Sequence, residues 1–574
     1  MNHMRYPLLM VILAGLLSLS ALPAAAEPGL AVDVGFAGRF VLGRMALVQI
    51  TVSGIERPFP GYFRIVHAVG NAWRGEASIL LEIPLPAVTN GQYEQLVPLH
   101  DFTHRLQVSL YKADGSMVAR AEASLRTGRR EDPFPVLVGT FPTRFVAGAV
   151  TVAPEALPRA WFAYEGVCSL WIGRTRHGGP TAEQWEAISR WILAGGTLVL
   201  FGGTDFYFLD SPLLRDLLPL LDPSLTEDEN GILTLSGRER LGVRRLIECS
   251  YGRTPLLLAR DHGAGTVLLA TVSAFDLTDA DMAAVAELAS PAELVSLAGV
   301  NASLLREMEI NRPGFPAALL VLFLSLAGLS FIAPRTGRPG GSPHKTRLIA
   351  LVALFVLLSL SSGFYLNRMK VVNHAYLLKT SFHLDASLGY RLSQYGLFVA
   401  HPALLHLPVG GLTAVIEDLP SDLRDGDYDS LWVGGEGLSL RLTRGAWRSL
   451  RGGGESAHSV RVYFAGNEQA EIENGLDGPL SEAYLVIDGE AFPLGEVNVG
   501  WSAHTLDRSL PVDKIDLRNA NLQALFAVVE PRYNIGTGVW LIGGTVEDSV
   551  TRRDGVRLKV RDISLHIVAG GIDD

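Results

Sequence analysis

Two uncharged apolar stretches, Gly314 to Ala333 and Leu348 to Leu366, constrain this chain more than any other feature. Each is long enough to cross ~30 Å of hydrocarbon at ~1.5 Å of rise per residue, and neither shows the polar stripe of a soluble helix. Charge or proline bounds both: Arg312-Pro313, Pro334-Arg335, Arg347, and Arg368 with Lys370. The pattern predicts a two-helix transmembrane hairpin in a lipid bilayer. Its loop, Pro334 to Arg347, carries Arg335, Arg338, Lys345 and Arg347 and no acidic residue, which by the positive-inside rule places it in the cytoplasm.

The N-terminus reads as a signal peptide, residues 1–26. Arg5 stands in a short n-region, an apolar run extends from Leu8 to Leu22, and Pro23-Ala24-Ala25-Ala26 precede Glu27. Cleavage after Ala26 and an uncleaved anchor both fit, and in either case the chain from Glu27 onward is exported. Two crossings return the chain to the same side. Residues 27–313 and 367–574 are therefore expected outside the cytoplasm, on a protein of the bacterial inner (cytoplasmic) membrane and periplasm.

A chain of 574 residues exceeds one core, so several domains are expected. Its 49 Lys and Arg against 59 Asp and Glu give a net charge of -10, without the clustered cations that neutralise phosphates, so nucleic acid is not an expected partner. Cys168 and Cys249 are the only cysteines, too few for a Cys-only zinc site. One disulfide between them and two separately buried thiols are equally open.

Residues 27–130 alternate apolar and polar positions in short runs, Leu47 to Val52, Tyr62 to Val66, Ser78 to Ile83 and Arg105 to Tyr111, which predict an N-terminal β-sandwich. Residues 135–290 alternate strands with helices. Val136 to Thr140, Cys168 to Gly173, Thr197 to Phe201 and Thr266 to Val272 read as strands; Thr181 to Ala194 reads as an amphipathic helix opened by a Thr181–Gln184 capping box and ended by Gly195-Gly196. This order predicts an α/β, flavodoxin-like domain with a mostly parallel sheet. The expected arrangement continues with a transmembrane helix at 314–333, a cytoplasmic loop at 334–347, a second transmembrane helix at 348–366, and a C-terminal β-rich domain over 367–574.

The segments Gln184 to Gly196, the strand and glycines through Gly203, and His262 to Val267 resemble the class I glutamine amidotransferase-like domain of uncharacterised bacterial membrane proteins. The resemblance covers about residues 135–290. It implies a nucleophile elbow at Gly202-Gly203-Thr204 and a later-strand segment at Ser273 to Asp276, where active members carry Cys and His. Neither residue stands there, so the resemblance implies the fold without the amidotransferase chemistry.

No G-x-S-x-G, P-loop, G-x-G-x-x-G, H-E-x-x-H or C-x-x-C motif occurs. Cys168, inside an apolar strand, reads as an inert thiol. His374, His383, His401, His406 and Asp385 match no common metal spacing, and the run Glu227-Asp228-Glu229 reads as a solvated loop. No catalytic residue, metal or cofactor is assigned. The favoured reading is a non-catalytic, membrane-anchored envelope protein that binds a partner protein or envelope ligand; an exported hydrolase or amidase with a degenerate site and an auxiliary transporter subunit are the alternatives. Any ligand contact is expected at Gly202, Gly203, Thr204 and Asp205, with Asp276 on the same rim, because ligands of open α/β sheets bind beyond the carboxyl ends of the strands. A plain tight turn with Asp205 as a helix cap is the competing account.

Overall fold

The computed structural model describes most of residues 28–289 and 374–569, apart from short stretches that include 70–76, 249–254 and 417–429. Strands dominate these residues. Among them no helix is long and apolar enough to cross a membrane. The structure therefore does not support the expected two-helix transmembrane hairpin, nor the inner-membrane placement derived from it. Length and hydropathy are one-dimensional criteria. The segments they select, 314–333 and 348–366, lie outside the described residues, as do the expected signal peptide and the loop 334–347.

The N-terminal region does not close on itself as an independent sandwich. A three-stranded antiparallel sheet, with Met45–Ser53 between Gly29–Val34 and Gly91–Pro98, packs on a seven-stranded one. Alternation aims Val48, Ile50 and Val52 at Phe63, Ile65, Val108 and Leu110, all almost fully buried. The larger sheet takes three of its strands from far along the chain: Ser430–Gly434 pairs in parallel with Ala77–Val88, and Gly437–Leu442 and Ala403–Leu407 follow outward. This exchange is invisible to local patterning, because strand partners are chosen across hundreds of residues.

The region after 373 builds a nine-stranded sheet in which His374–Asp385 runs parallel to Val556–Ala569. The helix Ala520–Tyr533 lies against it through Leu522, Leu525, Phe526 and Val529, with the Tyr533 ring 5.0 Å from that of Phe382.

Residues 134–289 form the sheet that carries the candidate site. Its strands are β1 (Phe134–Val138), β2 (Val150–Val152), β3 (Val167–Ile172), β4 (Thr197–Phe201), β5 (Arg244–Glu248), β6 (Pro255–His262) and β7 (Gly265–Ala270), in the spatial order β2-β1-β3-β4-β7-β6-β5. The first five in that order are parallel, and β6 and β5 are antiparallel additions. Both faces are covered, which is why the strands read as unbroken apolar runs. Val136, Val138, Leu170, Ile172, Leu198 and Leu200 meet helix α1 (Ala182–Leu193) through Trp185, Ile188, Trp191 and Ile192. Leu137, Trp171, Val199 and Phe201 face Met282 and Val285 of the helix Asp279–Leu288.

The expected flavodoxin-like architecture is nevertheless wrong. It requires a single α-helix in each parallel crossover, and among the described residues only the β3-to-β4 crossover, through α1, is made by a helix alone. The path from β2 to β3 runs through 3-10 turns at Pro154–Ala156 and Trp161–Gly166, where Trp161, Phe162 and Tyr164 are buried. The path from β4 to β7 carries a short helix, Pro212–Leu217, then a hairpin, Leu220–Glu227 with Leu233–Glu239, and the antiparallel β5 and β6. Apolar runs and turn signals locate strands but do not say what connects them.

The start of α1 follows the local chemistry. Thr181 Oγ1 accepts from the Gln184 backbone N–H at 3.4 Å, and Gln184 Oε1 accepts from the Thr181 N–H at 2.7 Å. A Thr181→Ala chain is expected to lose about 1 kcal/mol in urea unfolding. Wild-type stability in that variant would show the cap to be idle.

Candidate functional site

The carboxyl ends of β3, β4 and β7 converge, and the loops that leave them meet on one carboxylate. Asp205, in the turn after β4, is completely buried. Its Oδ2 accepts from the Ser273 hydroxyl at 2.9 Å and from the Ala274 backbone N–H at 3.2 Å, both in the turn after β7. Its Oδ1 accepts from Arg174 Nε at 3.1 Å, just after β3. The Arg174 Nη2 also donates to the Thr204 hydroxyl.

Two glycines make this convergence possible. A Cβ on Gly202 would lie 2.4 Å from the Thr271 carbonyl oxygen, and one on Gly203 would lie 2.7 Å from the Ser273 nitrogen. Gly203 also has a φ of +56°, a left-handed conformation that β-carbons disfavour. The glycines thus serve the approach of two loops, which places Asp205 within reach of Ser273.

The outer surface of the cluster is open. Arg174 keeps 48% of its side chain exposed although its Nε is bound to a buried carboxylate. Its guanidinium carbon lies 5.1 Å from the centroid of the Phe275 ring, itself 44% exposed. Thr204 and Asp276 are exposed beside them. Partial burial, then the nearby Asp205 carboxylate, pushes the Asp276 carboxyl above its ordinary range, against the opposing pull of Arg174.

Arg174 also marks the place where the sheet changes direction. The chain leaves β1 for β2 on one side and leaves β3 for β4 on the other, so β1 and β3 flank a topological switch. The loops bordering that switch are tied together by the Thr140 N–H donating to the Arg174 carbonyl at 2.7 Å.

The structure therefore brings together the residues singled out in the sequence, Gly202, Gly203, Thr204, Asp205 and Asp276, but in unequal roles. Asp205 faces inward as the common acceptor, while Thr204 and Asp276 face out. Sequence reasoning missed Arg174, and within the segment Ser273 to Asp276 it singled out Asp276 but neither Ser273 nor Phe275. The available signal was position: Gly173-Arg174 follows a strand on the same rim as the chosen loop. Ser273 is buried with its hydroxyl committed to Asp205, which shields it from a nucleophilic role.

Cys168 carries a free thiol, partly buried, which burial pushes above its usual range; Cys249 lies outside the described residues. Of the histidines considered as metal ligands, His383 is buried in its strand with its ring stacked 4.5 Å from that of His566. Among the described residues no group of three or more His, Cys, Asp or Glu is placed to hold a metal ion. Asp228 and Glu229 of the acidic run lie outside the described residues.

No family model and no curated protein matches the chain. Among solved structures it is similar to a β-galactosidase from Bacillus circulans sp. alkalophilus at 9% identity, over 57% of this chain and 42% of that one, with a TM-score of 0.19. It is also similar to the Fcho1 Mu homology domain of Danio rerio with bound Eps15 peptide at 6% identity, over 35% of this chain and 97% of that one, with a TM-score of 0.19. An M1 zinc metallopeptidase from Deinococcus radiodurans gives 11% identity over 33% of this chain and 47% of that one, with a TM-score of 0.12. The chain spans less than half the length of the β-galactosidase. Likeness at these scores supports no statement about activity.

Proposed function

We propose that this chain is a non-catalytic binding protein, and that residues 134–289 recognise a partner protein or polar ligand at the rim formed by Arg174, Thr204, Phe275 and Asp276. One observation carries the reading: a fully buried carboxylate, Asp205, holds a half-exposed guanidinium at the switch point of the sheet. A ligand meeting Arg174 finds a donor already oriented, so little side-chain entropy is lost on contact. The flanking ring and carboxyl supply an apolar wall and a further polar group.

Catalysis is less well served. The nucleophile-like hydroxyl at Ser273 is buried, and among the described residues no histidine accompanies it in the polar contacts of the site. The test compares tagged full-length protein with the outward-facing Arg174→Ala and the double variant Thr204→Ala with Asp276→Asn in quantitative co-purification. We expect at least a tenfold drop in one specific partner for both, with unchanged melting of the double variant. An identical bound set together with full cellular function would reject the reading.

A further inference from the structure

A second surface lies on the small antiparallel sheet Val460–Phe464, Gln469–Asn474 and Gly500–Thr505, in which the middle strand pairs with both others. One face is core, through Val460, Val462, Ala470 and Ile472. Strand alternation sends the intervening residues to the other face. Register then sets them in cross-strand rows: Arg461, Glu473 and Trp501; Tyr463, Glu471 and Ala503; Gln469 and Thr505.

The aromatic pair on that face is unusual. Tyr463 and Trp501 stand on the two outer strands, ~9–10 Å apart by ordinary strand spacing, yet their rings stack at 5.1 Å and 25°. Both side chains therefore lean over the middle strand. The stack occupies one side of the indole, and Trp501 still remains 60% exposed, beside Val499 at 55%. A water-facing indole with a second ring fixing its orientation is a platform rather than a core element.

The groups around it define what fits. Arg461 pairs with Glu473 at 3.7 Å, so donors and acceptors stand side by side with their charges largely offset. Arg461 opposes a cation over the indole, and Glu471 and Glu473 oppose an anion. Exposed Gln469 and Thr505 add neutral donor and acceptor groups. Three apolar side chains fall far short of the ~800 Å² per partner of a standard protein interface. A neutral ring with one apolar face and a hydroxylated rim matches all of these conditions.

We propose that this face binds carbohydrate, with the C–H face of a pyranose ring on the free side of Trp501 and its hydroxyls meeting Glu471, Gln469, Thr505 and the Arg461–Glu473 pair. The site is separate from the Arg174 rim and does not depend on its function.

The test applies the full chain to a glycan array of neutral and N-acetylated oligosaccharides, followed by calorimetric titration with cellohexaose and chitohexaose. Saturable binding of a neutral saccharide is expected, weakened tenfold or more by Trp501→Ala and largely retained by Trp501→Tyr, as for an aromatic anchor. Glu471→Gln should weaken it less, with melting unchanged because both side chains are exposed. Absence of any binding on the array and in both titrations would overturn the proposal. So would equal affinity in Trp501→Ala, or Trp501-dependent binding of choline or polylysine without any saccharide.

Discussion

An Asp205→Ala chain is expected to unfold with about 3 kcal/mol less stability than the wild type, among the largest losses available to a single polar residue here. The carboxylate is fully buried and accepts from Ser273 Oγ, the Ala274 N–H and Arg174 Nε. Its removal leaves a buried hydroxyl and a buried amide without that acceptor, each costing about 1–3 kcal/mol of desolvation. Arg174, half exposed, regains water, which holds the total below that of a pair buried on both sides. Asp205→Asn keeps an acceptor but loses the charge, so roughly half the loss is expected. Urea titration of both variants provides the measurement. A loss under about 1 kcal/mol for Asp205→Ala would mean that the three loops are held together by something else.

The second large effect is on pH dependence, and it comes from the last residue of β6, where that strand turns into β7. His262 has its Nε2 buried with no hydrogen-bond partner among the described residues. Burial, with a smaller contribution from the Arg260 guanidinium, pushes its imidazole down to about 4. The unfolded chain protonates this residue near its ordinary value of ~6.5, so between the two values the unfolded state binds the extra proton. Stability is therefore complete above pH ~6.5 and falls as the pH drops toward 4, by about 3 kcal/mol in all. Below that the contribution levels off. Chemical unfolding of wild type and His262→Leu at pH 7.5, 6, 5 and 4.5 separates this histidine from the carboxylates that titrate lower. Parallel curves for the two proteins would show that His262 is solvated in the native state.

Legibility in the sequence tracks the range of the forces involved. The Thr181–Gln184 box closes over three residues, and the strand at Thr197 to Phe201 is an apolar run between glycines; both stand where local patterning puts them. The loop Gly202 to Asp205 is also found from position alone, because it leaves a strand at its carboxyl end. Its meaning is not legible. The sequence admits Asp205 as a ligand contact or a helix cap, and it is instead the acceptor that ties β3, β4 and β7 together across 31 and 68 residues of separation. Arg174 escapes notice because a lone arginine after a strand has no local signature.

By itself, then, the sequence determined the strand-rich character of most described segments, the start of α1 and the glycines that allow two loops to touch. These depend on side-chain alternation, capping and backbone freedom within a few residues. Only the tertiary structure decided that residues 430–432 complete a sheet begun at residues 77–88, and that, apart from α1, the parallel strands are joined by 3-10 turns or by a hairpin-bearing excursion rather than by one regular helix each. It alone brought Tyr463 and Trp501 together over a strand that belongs to neither. Each of these outcomes is a choice among partners distant along the chain. Apolar burial favours many such choices about equally, and the packing of the whole selects one.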